Sequence, residues 1–190
     1  MKKLLITGFD PFGGATVNPA WEAVQRLPEQ IGEFTLEKMQ IPTAFGEAAG
    51  IVIAKAEAYS PDAVICVGQA GGRSAVTPER IGVNMRSASI PDNRGVQPLE
   101  QPVVPGGPDG IFSPLPVYDM AKAIREQGLP GQVSNTAGTF VCNDVLYTLL
   151  HHFPSMPIGF IHVPWLPEQG SPSLELEKTV EALKAAIAAI

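Results

Sequence analysis

The chain has 190 residues, 13 of them basic and 19 acidic, for a formal charge of −6; 45% are hydrophobic and 17% charged. At roughly 100–200 residues per domain this is one domain with apolar residues enough for a core, which excludes wholesale disorder. No basic stripe offers a phosphate footprint, so nucleic acid is not an expected partner, and two cysteines, Cys66 and Cys142, are too few for a disulfide scaffold.

The N-terminal apolar run stops at Ile6, short of a signal peptide, and no segment approaches membrane-spanning length. A cytoplasmic protein with reduced thiols and no membrane partner is expected. Residues 4–7 form a short apolar run ending at Gly8, a candidate buried strand. After a glycine-rich loop, Asn18-Pro19 opens a helix: Asn caps, Pro fits the first helical position, and Glu22 sits in the first turn. Residues 35–41 read as a strand. Thr43 is the expected cap of a helix striped by Phe45, Ala48, Val52, Ala56 and Tyr59.

Residues 63–67 are continuously apolar, as in a strand buried on both faces. Residues 80–86 alternate and predict a half-buried strand. The stretch 87–114 is rich in proline and glycine and has no period; a long loop of that kind is usually functional or mobile. A helix is expected over 117–127, closed by Gly128, then a short strand over 133–135, a helix over 139–152, a strand over 158–163 and a last helix over 174–190. This alternation predicts a single α/β domain over 1–190, with a mostly parallel central sheet and helices on both faces. Ligands of such sheets bind outside the carboxyl ends of the strands.

Three residues near those ends carry chemistry. Cys142 lies near a helix start, where the helix dipole favours a thiolate, although a free cysteine is as readily a small core residue. His162 closes an apolar strand and is either a satisfied core histidine or a base. Glu79, in Thr77-Pro78-Glu79-Arg80, is either a surface carboxylate or the group that orients that base. Together they supply nucleophile, base and orienting acid. Cys66, inside an apolar strand, reads as structural. The loops 7–14 and 68–73 match neither a dinucleotide fingerprint nor a P-loop, and no paired ligand motif suggests a metal or other cofactor.

Several strings join these pieces: Thr7-Gly8-Phe9-Asp10-Pro11-Phe12-Gly13-Gly14, Val67-Gly68-Gln69-Ala70-Gly71-Gly72-Arg73, Pro78-Glu79-Arg80, Ile90-Pro91-Asp92-Asn93, Thr136-Ala137-Gly138-Thr139-Phe140-Val141-Cys142-Asn143 and Gly159-Phe160-Ile161-His162. In these the chain resembles the pyroglutamyl peptidase I family of cysteine peptidases, in order from residue 4 to about residue 183. The resemblance implies an α/β/α sandwich of the phosphorylase/hydrolase-like kind, removal of an N-terminal pyroglutamyl residue from capped peptides through an acyl-enzyme, no metal, and assembly into dimers or tetramers. It places the catalytic residues at Glu79, Cys142 and His162. It places Phe9 and Phe12 about the lactam ring, Gln69 and Ile90 nearby, and Phe140 and Val141 beside the nucleophile.

A neutral lactam has no ammonium, so an ammonium-binding carboxylate would be left unpaired by this substrate. Departures from the family pattern are Ser89 in place of arginine, Asp144 in place of histidine, and a C-terminus at Ile190. Asp144 is expected to raise the Cys142 pKa slightly by repulsion, although a negative side chain also suits a helix start. Two other readings remain: a nucleoside phosphorylase-like enzyme on a similar sheet, and a non-catalytic binder of pyroglutamyl peptides.

Overall fold

The computed structural model describes residues 1–190. Its elements in chain order are β1 (Lys2–Phe9), α1 (Pro19–Arg26), β2 (Gln30–Ile31), β3 (Phe34–Ile41), α2 (Glu47–Tyr59), β4 (Ala63–Gln69), β5 (Thr77–Pro78), β6 (Ile81–Val83), β7 (Gly110–Phe112), α3 (Val117–Glu126), α4 (Val141–His152), β8 (Ile158–Val163) and α5 (Leu176–Ala188). The main sheet runs β2-β3-β1-β4-β8-β5. Its four inner strands are parallel, and the two-residue strands β2 and β5 close the edges antiparallel.

Alternation along the strands sorts the core into two layers. Leu4, Ile6, Ile65, Val67, Ile161 and Val163 face one layer with α1, α3 and α5. Leu5, Phe9, Val64, Cys66, Ile158 and Phe160 face the other with α2 and α4. This is the expected α/β/α sandwich. The chain leaves β1 to one side for β3 and returns to its other side for β4, so the carboxyl ends of β1 and β4 flank a topological switch point.

Helix α1 begins as its sequence reads: Asn18 Oδ1 accepts from the Ala20 N–H at 3.0 Å, with Pro19 at the first position. Elsewhere long-range partners overrode local signals. Thr43 caps nothing. Its N–H and hydroxyl both donate to Asp10, and α2 starts at Glu47 behind Gly46. The segment 80–86 does not enter the main sheet; β6 pairs with β7 in a separate ribbon. Residues 133–135 form only an isolated bridge, Glu79 with Ser134. The α4 helix begins at Val141 rather than Thr139: Phe140 is extended at the N-cap, and Thr139 is tied to Ser87, its hydroxyl donating to Ser87 O and its carbonyl accepting from Ser87 N–H.

The stretch 87–114 is a tethered strap. Besides holding β7, it bridges Gln101 to Arg86, and Asn93 N–H donates to Thr43 O. Asn93 Nδ2 donates to Asp10 Oδ1 and Pro11 O at 3.1 and 2.9 Å, and buried Asp92 accepts from the Phe45 N–H at 2.8 Å. Ile90-Pro91-Asp92-Asn93 therefore ties the loop after β1 to the entrance of α2.

Candidate active site

The ends of β1, β4 and β8 and the start of α4 converge on one cavity of about 260 Å³. Phe9, Phe12, Asn18, Thr43, Gln69, Arg73, Phe140, Cys142 and His162 contribute to its walls. Residues far apart in the chain thus meet where the fold predicts a ligand.

Cys142 is the second residue of α4. The N–H groups at this helix start receive no side-chain cap, so they face outward as donors. Two neighbours fix the helix start. Asn143 is wholly buried; its Oδ1 accepts from Val83 N–H and its Nδ2 donates to Val83 O and Met85 O. Asp144, also wholly buried, accepts from Arg86 Nε at 2.6 Å and from Gly46 N–H at 2.8 Å. Burial pushes the Cys142 thiol up, and the charge on Glu79 and neighbouring Cys66 add to this, against Arg73 and the cysteine's own backbone N–H. The expected repulsion from Asp144 is absent because its carboxylate is turned toward Arg86; the carboxylate acting on Cys142 is Glu79. The second thiol, Cys66, is pushed up to about 12 by burial, as suits an inert core residue.

His162 lies on the α2–α4 face of β8, the same face as Phe160, whose ring centroid is 4.8 Å away. His162 Nδ1 meets Glu79 Oε1 at 2.7 Å with both residues buried. That contact assigns the proton to Nδ1 and leaves Nε2 as the acceptor. Glu79 reaches this position between β5 and β6, with its backbone N–H donating to Phe160 O. Burial lowers the His162 pKa; Glu79 opposes that shift and Arg73 reinforces it.

Arg73 is the site residue that the sequence did not single out. Its Nη1 donates to Glu79 Oε1 and to Thr77 Oγ1, each at 2.6 Å, and its Nη2 donates to Thr136 O at 2.9 Å. A buried carboxylate needs such a partner. The signal available was the Gly71-Gly72-Arg73 string, but nothing local couples Arg73 to Glu79.

The aromatic residues divide. Phe12 and Phe140 are a tilted pair at 5.9 Å, while Phe9 is buried against Phe160 at 6.1 Å and reaches the same cavity. Gln69 lines the cavity at the end of β4. Val141 is expected in the pocket and lies outside its wall, whereas Ile90, expected nearby, lies beside it. Val141 is wholly buried in the α2–α4 core layer, and exposed Ile90 lines an adjoining cleft. Ser89, expected as a departure from the family pattern, is exposed. Gly68 is required by contact: a Cβ there would lie 2.8 Å from Cys142 Sγ and from the Phe160 ring.

The cavity wall contains Arg73 and no carboxylate, because Glu79 is sealed behind His162. The family model of pyroglutamyl peptidase matches residues 2–190. The chain belongs to the pyroglutamyl peptidase family. A pyrrolidone-carboxylate peptidase of Levilactobacillus brevis is 54% identical, covering 99% of this chain and 97% of its own. One from Escherichia fergusonii is 49% identical over 98% and 92%. The crystal structure of Bacillus amyloliquefaciens pyroglutamyl peptidase I superposes with a TM-score of 0.96 at 44% identity, covering 100% of this chain and 96% of that one. A mutant pyrrolidone carboxyl peptidase of Pyrococcus furiosus gives 0.92 at 40% identity, covering 97% and 96%. In this pyroglutamyl peptidase family member, Glu79, Cys142 and His162 lie in the strings that first suggested the family.

Proposed function

We propose that this chain is a thiol-dependent omega-peptidase that removes N-terminal pyroglutamate, with Cys142 as nucleophile, His162 as base and acid, and Glu79 orienting His162. The carrying observation is a cavity that pairs a thiol at a helix start with a carboxylate-held imidazole while presenting no acid of its own. A free α-ammonium entering it would meet Arg73 instead of a carboxylate, an unfavourable approach; a neutral lactam meets no such penalty. Phe9, Phe12 and Phe140 offer apolar contact to the ring.

The reaction starts from a neutral thiol, since burial raises Cys142 and lowers His162. His162 Nε2 takes the thiol proton as Sγ attacks the pyroglutamyl carbonyl carbon. The oxyanion forms beside the uncapped N–H groups at the α4 start, the Cys142 N–H among them. The imidazolium, held by Glu79, gives its proton to the departing amine as the C–N bond breaks and a thioester remains. Water then attacks the thioester. His162 takes its proton and returns one to sulfur, releasing free pyroglutamate.

A thiol-dependent enzyme works where thiols stay reduced, which supports a cytoplasmic setting. Self-association into dimers or tetramers fits the exposed apolar residues Ile90, Val96 and Leu99 on one strap, with Met85 just before it. Sedimentation of the wild type beside Leu99→Asp tests the association. For the activity, the test is fluorophore release from a pyroglutamyl amide in reductant, with and without iodoacetamide. Release abolished by alkylation is expected; release untouched by it would overturn the thiol assignment. Phosphorolysis of a nucleoside would favour the phosphorylase reading, and binding without product the binder.

A further inference from the structure

A second cleft of about 550 Å³ adjoins the catalytic cavity, and Phe12 and Gln69 belong to both walls. Its other walls are the loop 13–17 on one side and Trp165, Glu168 and Gln169 on the other, with Ile90 at the strap. It is built rather than incidental. Gln169 pins the two sides together: its Nε2 donates to Val17 O at 3.1 Å and to Gln69 Oε1 at 3.3 Å, and its Oε1 accepts from Leu166 N–H at 3.0 Å. The Trp165 ring is wedged between the backbones of Gly71 and Gly170, both places where a Cβ would collide with it, and its carbonyl accepts from Leu174 N–H at 2.8 Å. The ring is thereby held in place before any ligand arrives.

We propose that this cleft receives the leaving peptide and that Glu168 and Trp165 select its first residues, favouring basic or neutral side chains over acidic ones. The assignment rests on the peptidase reading given above. A pyroglutamyl residue begins the substrate, so no chain precedes the lactam. Any space continuous with the lactam cavity is reached only by the peptide on the carboxyl side of the scissile bond. Gln69, at the junction, uses its Oε1 on Gln169 and no protein acceptor takes its Nε2, which leaves an amide donor for a substrate carbonyl. Thr16, Gln69 and Gln169 are the uncharged polar side chains of the cleft, and Glu168 is the one charged residue in its wall. Glu168 is exposed, so its selection is modest and salt-sensitive, of the few-fold size typical of exposed charge pairs.

The test is kcat/KM for pyroglutamyl-Lys-Ala, pyroglutamyl-Ala-Ala and pyroglutamyl-Glu-Ala, beside a neutral pyroglutamyl fluorogenic amide, for wild type, Glu168→Gln and Glu168→Lys. Wild type is expected to prefer Lys over Glu roughly three- to tenfold at low salt. Glu168→Gln should bring the ratio close to one, and Glu168→Lys should invert it. A Lys-to-Glu ratio that ignores both substitutions, with the amide turned over normally, overturns the cleft assignment and leaves the peptidase reading intact. Failure of all three proteins to hydrolyse the amide overturns the peptidase reading and the cleft assignment with it. Trp165→Phe, which keeps an aromatic plane, should raise KM for the tripeptides more than for pyroglutamyl amide itself; equal effects on both would remove Trp165 from the selecting surface.

Discussion

Arg73 Nη1 lies 2.6 Å from Glu79 Oε1, the same oxygen that meets His162 Nδ1 at 2.7 Å. One carboxylate oxygen thus serves a permanent cation and an imidazole that becomes a cation during the reaction. Glu79 Oε2 is buried without a partner, so both of the side chain's hydrogen-bonding contacts fall on Oε1. Arg73 balances Glu79 twice over: it opposes the upward pull of Glu79 on the Cys142 thiol and on the His162 imidazole.

Removing Arg73 should therefore move the pH profile. With Arg73→Met, Glu79 acts on His162 unopposed and raises its pKa, so the imidazole stays protonated to higher pH and is lost as a base over that range. The acid limb of kcat/KM is expected to shift upward, whereas Arg73→Lys, which keeps the charge, should restore most of it. The Met variant should also lose roughly 1–3 kcal/mol of stability, because a buried carboxylate loses a donor. An acid limb that stays in place in a folded Met variant would show that Arg73 is only structural.

The two cysteines should separate cleanly. Cys142→Ala is expected to lower turnover by roughly 10⁴-fold or more with an unchanged circular-dichroism spectrum. Cys66→Ala should retain near-normal kcat, since that thiol lies in the core with its pKa pushed up to about 12. A silent Cys66→Ala variant that still folds would contradict this division of roles.

The pH dependence of alkylation reports the resting state of Cys142. Burial is the main cause that raises its thiol, which favours the neutral form in the free enzyme. The rate of iodoacetamide labelling in Cys66→Ala protein should keep climbing above pH 8.5, the ordinary thiol range. A rate that is flat between pH 6 and 9 would indicate a preformed thiolate–imidazolium pair.

Gly68→Ala tests the packing behind the nucleophile. The added methyl would lie 2.8 Å from Cys142 Sγ and from the Phe160 ring, so one of them must move. Overpacking of this kind costs about 1–3 kcal/mol. A fall in kcat larger than the change in KM is expected, because Sγ is displaced from the attack position; unchanged kinetics would mean that Phe160 alone gives way.

Asp144 should matter to stability and not to the profile. Asp144→Ala leaves Arg86 Nε and Gly46 N–H without their acceptor, a loss of roughly 1–3 kcal/mol readable as a lower Tm. The pH limbs of the remaining activity should coincide with those of the wild type. A displaced limb would show that the Asp144 charge reaches Cys142 after all.

The sequence by itself determined the sandwich, the Asn18 cap and the two-faced core, because these rest on the periodicity of apolar residues and on caps satisfied by near neighbours. It also indicated Cys142, His162 and Glu79, through strings that resemble a family. Tertiary structure alone decided how these residues are coupled. Arg73 meets Glu79 because the loop after β4 folds back on the turn after β5, and Asp144 is silenced by Arg86, 58 residues away in the chain. Thr43, expected as a cap, serves Asp10 instead, and Val141 faces the core one position before the nucleophile. The physical reason is common to all of these: a buried polar or charged group is settled by the partner that reaches it in space, and local sequence carries no record of that partner.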